Sequence, residues 1–145
     1  MSLRTLSLGG IAWNTMIYVE SFPEPRPQSL FSKGSHITAG SSGAGKALNF
    51  ASLGCQASLW GLLGDDEPGA KARSFLVESG VNLLSTLDPK GTMRHVNLMD
   101  DRGERISIFA HYPSHEFTVD PALVRPLAAE ADIVSVTIMN YCRQF

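Results

Sequence analysis

The sequence predicts an α/β fold with two kinds of sheet, and three observations carry that prediction. Between residues 40 and 84, and again between 120 and 139, strand-like and helix-like runs alternate, the order that builds a largely parallel sheet covered by helices. Between 15 and 39, and between 93 and 109, strand-like runs follow one another without helices, which calls for a second, smaller β layer. The composition, 43% hydrophobic and 18% charged over 145 residues, is that of a folded chain. Such a length suits one domain that buries roughly two-thirds of its unfolded surface.

In order, residues 3–8 read as a first strand ending at Gly9-Gly10, and residues 15–22 (Thr-Met-Ile-Tyr-Val-Glu-Ser-Phe) as a second, rich in β-formers. Pro23, Pro25 and Pro27 keep the next segment extended and free of helix. Residues 35–39 form a third strand that enters a glycine- and serine-rich turn, Gly40-Ser41-Ser42-Gly43-Ala44-Gly45-Lys46. Beyond it Ala44, Ala47, Leu48 and Ala51 fall on one helical stripe, with Ser41 or Ser42 placed to cap the start and Gly54 the end. Residues 57–63 are a buried strand. Asp65 or Asp66 caps a second helix with Pro68 in its first turn, Ala72, Phe75 and Leu76 on its apolar face, and Gly80 at its close.

A short strand at 81–84 is followed by a hairpin, 93–99 and 105–109, around Asp100-Asp101-Arg102-Gly103. Alternation puts Val96 and Leu98 on one face of it and His95 and Asn97 on the other. Asp120-Pro121 opens a third helix with the stripe Val124, Leu127, Ala128 and Ala131, and Pro126 must sit near its first turn. The β-branched run 133–139 is a last buried strand. Since a domain seldom stops just after a central strand, residues 1–145 are expected to be the front part of a longer protein.

Charge and composition exclude several functions. A net charge of −2 offers no grip on nucleic acid or on an anionic membrane. No run approaches the ~20 apolar residues of a membrane span, and no signal peptide is visible. Cys55 and Cys142 have no metal or redox spacing and are expected to be reduced in a cytoplasmic protein, one disulfide between them remaining open. His111 and His115 have metal-like spacing only on a helix, which Pro113 opposes.

The turn at 40–46 has two readings. A glycine turn at a helix N-terminus offers backbone N–H groups and the positive end of a dipole to a polar ligand. As a nucleotide-binding phosphate loop it fits G-x-x-x-x-G-K-[ST] up to the last position, where Ala47 supplies no hydroxyl for Mg²⁺. The strand before it is short and carries His36 and Thr38, unlike the apolar central strand such loops follow.

The second reading uses the surrounding chain. Leu8-Gly9-Gly10-x3-Asn14, the 40–47 turn with Gly54 beyond it, Gly64-Asp65-Asp66-x-Pro68-Gly69, Glu78-Ser79-Gly80-Val81 and Asp101-x-Gly103-Glu104-Arg105 occur in that order. Together they resemble the N-terminal half of the ribokinase-like (phosphofructokinase-B type) carbohydrate kinases. The resemblance implies a ribokinase-like parallel-sheet core, N-terminal part only, with a small β-sheet lid: lid strands roughly within 15–39 and 93–110, core elements in 1–14, 40–92 and 111–145. It implies ATP- and Mg²⁺-dependent phosphorylation of a sugar or related alcohol, with the sugar held between lid and core.

By the same resemblance, Asn14 stands where the family usually has an Asp that accepts from sugar hydroxyls, and Asn keeps one acceptor oxygen. Gly40, Ser41, Ser42 and Gly45 are the other implied substrate-binding positions, Ser41 replacing the second glycine of the family's Gly-Gly turn and Gly45 its frequent Asn. Arg94, His95 and Asn97 can face the sugar from the lid or simply meet water. Met139 and Asn140 end a strand near another family sugar position. The family's Gly-Ala-Gly-Asp element, which carries the catalytic base, does not occur, so no catalytic residue and no metal ligand is assigned and the 145 residues alone are expected to be inactive. Two alternatives stay open: a phosphate-loop nucleotide hydrolase using 40–46, and a non-catalytic truncated module that dimerises through the lid.

Overall fold

Among the described residues, strand β1 (Arg4–Leu8) lies second from one edge of a four-stranded, all-parallel sheet. It pairs with β4 (Gln56–Leu63) on one side and β8 (Ile133–Val136) on the other, and β5 (Asn82–Leu87) completes the order β5-β4-β1-β8. A computed structural model describes residues 2–114 and 120–137. Alternate residues of β1 and β4 serve opposite faces of this sheet. Leu6, Leu8, Trp60 and Leu62 pack with Val124 and with Leu127 and Ala128 of α3 (Arg125–Glu130). Leu59 and Leu63 pack with Ala44 and Ala47 of α1 (Ser42–Ser52) and with Ala72 and Leu76 of α2 (Glu67–Glu78). Helices on both faces are what a parallel sheet requires.

Local chemistry explains the helix ends. After α1, Gly54 takes φ 79°, and Cys55 N–H reaches Phe50 C=O at 3.0 Å while Gly54 N–H reaches Ala51 C=O at 2.9 Å. After α2, Gly80 (φ 83°) repeats the pattern, with Val81 N–H on Leu76 C=O and both side chains in the core. Both are left-handed glycine stops that satisfy the last carbonyls. Asp66, not Asp65, caps α2: its Oδ1 accepts from Gly69 N–H at 2.8 Å.

The second sheet has the order β3-β2-β6-β7, from β2 (Ala12–Tyr18), β3 (Gly34–Gly40), β6 (Met93–Met99) and β7 (Arg105–His111). It is mixed: β2 runs parallel to β6 and antiparallel to β3, and β6 and β7 form the expected hairpin. Carboxylates tie it to the parallel sheet. Asp66 also accepts from Thr92 N–H at 2.8 Å and Thr92 Oγ1 at 2.6 Å, just before β6. Asp88, buried at the end of β5, accepts from Ser114 N–H at 2.8 Å and Ser114 Oγ at 2.6 Å, just after β7.

The structure moves several expected boundaries. β2 begins at Ala12 and ends at Tyr18 instead of spanning 15–22, because its pairing with β3 and β6 starts at Ala12. Asn14 therefore lies inside a strand and not in a turn. β3 continues to Gly40, so the glycine turn is reduced to Ser41 before α1 begins. The third helix is broken into a 3-10 turn, Pro121–Leu123, and the short α3, which restarts at Arg125 with Pro126 in its first turn. The last strand is described only to Val136; Met139, Asn140, Cys142 and His115 lie outside the described residues.

Candidate functional site

β-strand alternation sends every second residue of the mixed sheet to one face. The registers align these into rows: Thr38, Asn14, His95 and Phe109 form one, and His36, Met16, Asn97 and Ser107 the next. All eight line a cavity of about 660 Å³, whose other wall is Gly40, Ser41, Ser42 and Gly45 at the start of α1. The five residues singled out from sequence, Asn14, Gly40, Ser41, Ser42 and Gly45, are thus brought to one concave site. It lies just past the carboxyl end of β1, where Ala44 N–H donates to Gly10 C=O at 3.1 Å. Ligands of open parallel sheets commonly bind at the carboxyl ends of the strands.

Close packing of backbone holds the α1 wall there. A Cβ on Gly43 would stand 2.6 Å from the Gly9 carbonyl carbon, and one on Gly40 would stand 2.5 Å from Asn14 Nδ2. Gly45 differs, since a Cβ there meets nothing within 4 Å. Ser41 occupies the N-cap position but its side chain makes no cap hydrogen bond, and neither does that of Ser42, against expectation. The reason is local: Ser41 has φ 78°, a conformation that favours glycine, and its hydroxyl is turned against Gly10, where a Cβ would meet Oγ at 2.5 Å.

Among the described residues, two buried polar atoms in the cavity wall have no partner, Oδ1 of Asn14 and Nε2 of His95. Asn14 is only 7% exposed. A buried acceptor without a donor costs about 1–3 kcal/mol, and a ligand hydroxyl would remove that cost. Burial, with the nearby Arg105 charge, holds the His95 imidazole below its ordinary pKa of 6.5, so it is neutral at pH 7. Asn97, by contrast, is satisfied: Ser107 Oγ donates to its Oδ1 at 2.7 Å, and its Nδ2 reaches Met16 Sδ at 3.4 Å.

The hairpin's polar side was readable from alternation, yet alternation could not say that it faces a cavity instead of bulk water. Arg94 points to the opposite face, towards Glu67 and Lys71 of α2. His36, Thr38, Met16, Ser107, Phe109 and Tyr112 were not anticipated as lining residues. The turn at 40–46 does not follow a central parallel strand: β3 is the outer strand of the mixed sheet, antiparallel to β2. Among the described residues no three His, Cys, Asp or Glu side chains converge as a metal site, and no helix is long and apolar enough to cross a membrane.

Residues 10–140 match the family described as pfkB family carbohydrate kinase. The chain belongs to that family. It is 31% identical over 134 residues to an acarbose 7(IV)-phosphotransferase of Actinoplanes sp., covering 92% of this chain and 45% of that protein. It is 32% identical over 104 residues to an ATP-dependent ribose-1-phosphate kinase of Halopiger xanaduensis, covering 70% and 35%. Among solved structures, a microbiome-derived acarbose kinase superposes with a TM-score of 0.84 at 28% identity, covering 99% of this chain and 48% of that one. The chain therefore has a ribokinase-like fold, in part, and spans less than half the length of each of these relatives.

Proposed function

We propose that this chain is the acceptor-binding half of an ATP-dependent carbohydrate kinase that phosphorylates a sugar or related alcohol. The observation that carries the reading is the unpartnered, buried Oδ1 of Asn14 in a cavity shared with Gly40, Ser41, Ser42 and Gly45. In this reading Asn14 accepts a hydrogen bond from an acceptor hydroxyl, and the 40–45 turn closes on the same ring. The mixed sheet, Ala12–Tyr18, Gly34–Gly40, Met93–Met99 and Arg105–His111, is the lid, slightly wider than the 15–39 and 93–110 expected from sequence, and the parallel sheet with its helices is the core. With the lid over the sugar, water is excluded from a site where hydrolysis of ATP competes.

The base that takes the hydroxyl proton and most of the ATP site belong to chain beyond these residues, so residues 1–145 alone are inactive. Mg²⁺ would be held mainly by the nucleotide's own phosphates and water. The protein works in the cytoplasm. Ile37, Ile106 and Ile108 on the sheet face away from the cavity are exposed, which favours a homodimer through the lid.

Titration calorimetry tests the reading with ribose, ribose 1-phosphate, acarbose and MgATP. Binding of a sugar without MgATP is the expected result. Tight MgATP binding by this chain would instead favour the phosphate-loop alternative. Failure to bind any sugar, with a stable dimer in sedimentation, would favour the non-catalytic one. Asn14→Ala and Ser41→Leu are each expected to weaken sugar binding in a longer, active form; an unchanged sugar KM in both would remove the site assignment.

A further inference from the structure

One sugar ring held at Asn14 uses only part of the cavity. The row Thr38, Asn14, His95, Phe109 crosses all four strands of the mixed sheet. Neighbouring strands lie about 4.8 Å apart, so Phe109, two strands beyond Asn14, stands about 10 Å away. A single ring gripped at Asn14 does not cover that distance.

The far end of the row is not a generic wall. The ring centroids of His95 and Phe109 are 4.2 Å apart with planes at 60°, and those of Phe109 and Tyr112 5.1 Å apart at 40°, so three tilted rings adjoin one another along the cavity. Phe109 is 52% exposed there. A pyranose ring presents C–H groups on its faces and hydroxyls around its edge. An aromatic surface matches the faces, and polar groups beside it match the edge. Nε2 of His95, buried and without a partner, supplies such a group. On the facing wall, the open space at Gly45 leaves room along the α1 side.

We propose that His95, Phe109 and Tyr112 form a second subsite that seats an additional ring of the acceptor, so that the substrate is a glycoside of two or more rings. This rests on the reading of the cavity as the phosphoryl-acceptor site. Phe109 stacks on the face of the added ring, His95 Nε2 hydrogen-bonds one of its hydroxyls, and Asn14 keeps the ring that is phosphorylated.

Calorimetric titration of this chain with methyl α-D-glucopyranoside, maltose and maltotriose tests the subsite. Maltose is expected to bind at least tenfold more tightly than the one-ring probe. In Phe109→Ala the ratio of maltose to one-ring association constants should fall about tenfold, and Phe109→Tyr should restore it. Equal affinity for one- and two-ring probes, or a Phe109→Ala variant that leaves the ratio intact, overturns the second subsite while the acceptor-site reading stands. No binding of any sugar, in this panel or with ribose, overturns both. Circular dichroism of each variant separates loss of the subsite from loss of the fold.

Discussion

Among the described residues both sheets have four strands, yet they are stabilised and used differently. The parallel sheet is covered on both faces, by α1 and α2 on one and α3 on the other, and its central side chains are almost wholly buried. The mixed sheet turns one face to the cavity and leaves much of the other exposed at Ile37, Ile106 and Ile108. Its attachment to the parallel sheet relies on a few hydrogen-bonded carboxylates as well as packing. The difference teaches where stability and binding reside: the first sheet can be damaged only through its packing, the second mainly through what it binds.

The largest contrast is expected in core truncations. Leu76→Ala, at a fully buried position of α2, should cost about 2–5 kcal/mol. Ile108→Ala, on the exposed face of β7 and 52% exposed, should cost about 1 kcal/mol or less, since little area is removed from contact. Urea unfolding of both checks this, and equal losses would remove the contrast between the sheets.

Next in size is the junction. Asp66→Ala deletes the α2 cap and both bonds to Thr92, with an expected loss of about 2 kcal/mol in the same assay. Burial opposes the Asp66 charge, but the Thr92 hydroxyl and N–H, the Gly69 N–H and the nearby His111 outweigh it and hold the carboxyl below its ordinary 3.8. A carboxylate with a lowered folded pKa adds stability that is present above the unfolded pKa and lost as pH falls through the folded one. The gap between wild type and Asp66→Asn in urea midpoint should therefore shrink as pH drops below about 4. A gap independent of pH would show that the charge contributes nothing.

A smaller effect on stability, paired with a large one on binding, is expected at Asn14. Because its Oδ1 has no partner, Asn14→Ala should change stability by about 1 kcal/mol or less while weakening sugar binding about tenfold or more. A large loss of stability with binding retained would make Asn14 a structural residue.

The smallest change compares two glycines of one helix. Gly45→Ala meets open space and should stabilise by about 0.5–1 kcal/mol through helix propensity. Gly43→Ala drives a methyl into the backbone of Gly9 and Gly10 and should destabilise by about 1–3 kcal/mol. Thermal unfolding of the pair distinguishes the open wall of the cavity from the packed one.

Much of this was readable in residue order. Periodicity and apolar runs placed α1, α2 and the first three parallel strands, glycines 54 and 80 marked the helix stops, and helix-free strands announced a second sheet. Those signals are local, since period, propensity and caps act within a few residues. The last strand, expected to be buried, is instead an edge strand among the described residues, with Ile133, Val134 and Val136 exposed. The pattern from Gly9 to Gly45 pointed to the family and to five positions that line one cavity.

Only tertiary structure decided the rest. Pairing with β3 and β6 drew β2 back to Ala12 and put Asn14 inside a strand. Register aligned His95 and Phe109 with Asn14, residues 81 and more apart along the chain. Alternation separates the two faces of a strand but cannot tell a face in water from a face in a cavity. That is settled by what stands opposite, here the first turn of α1, carried there by the close approach of Gly43 to Gly9.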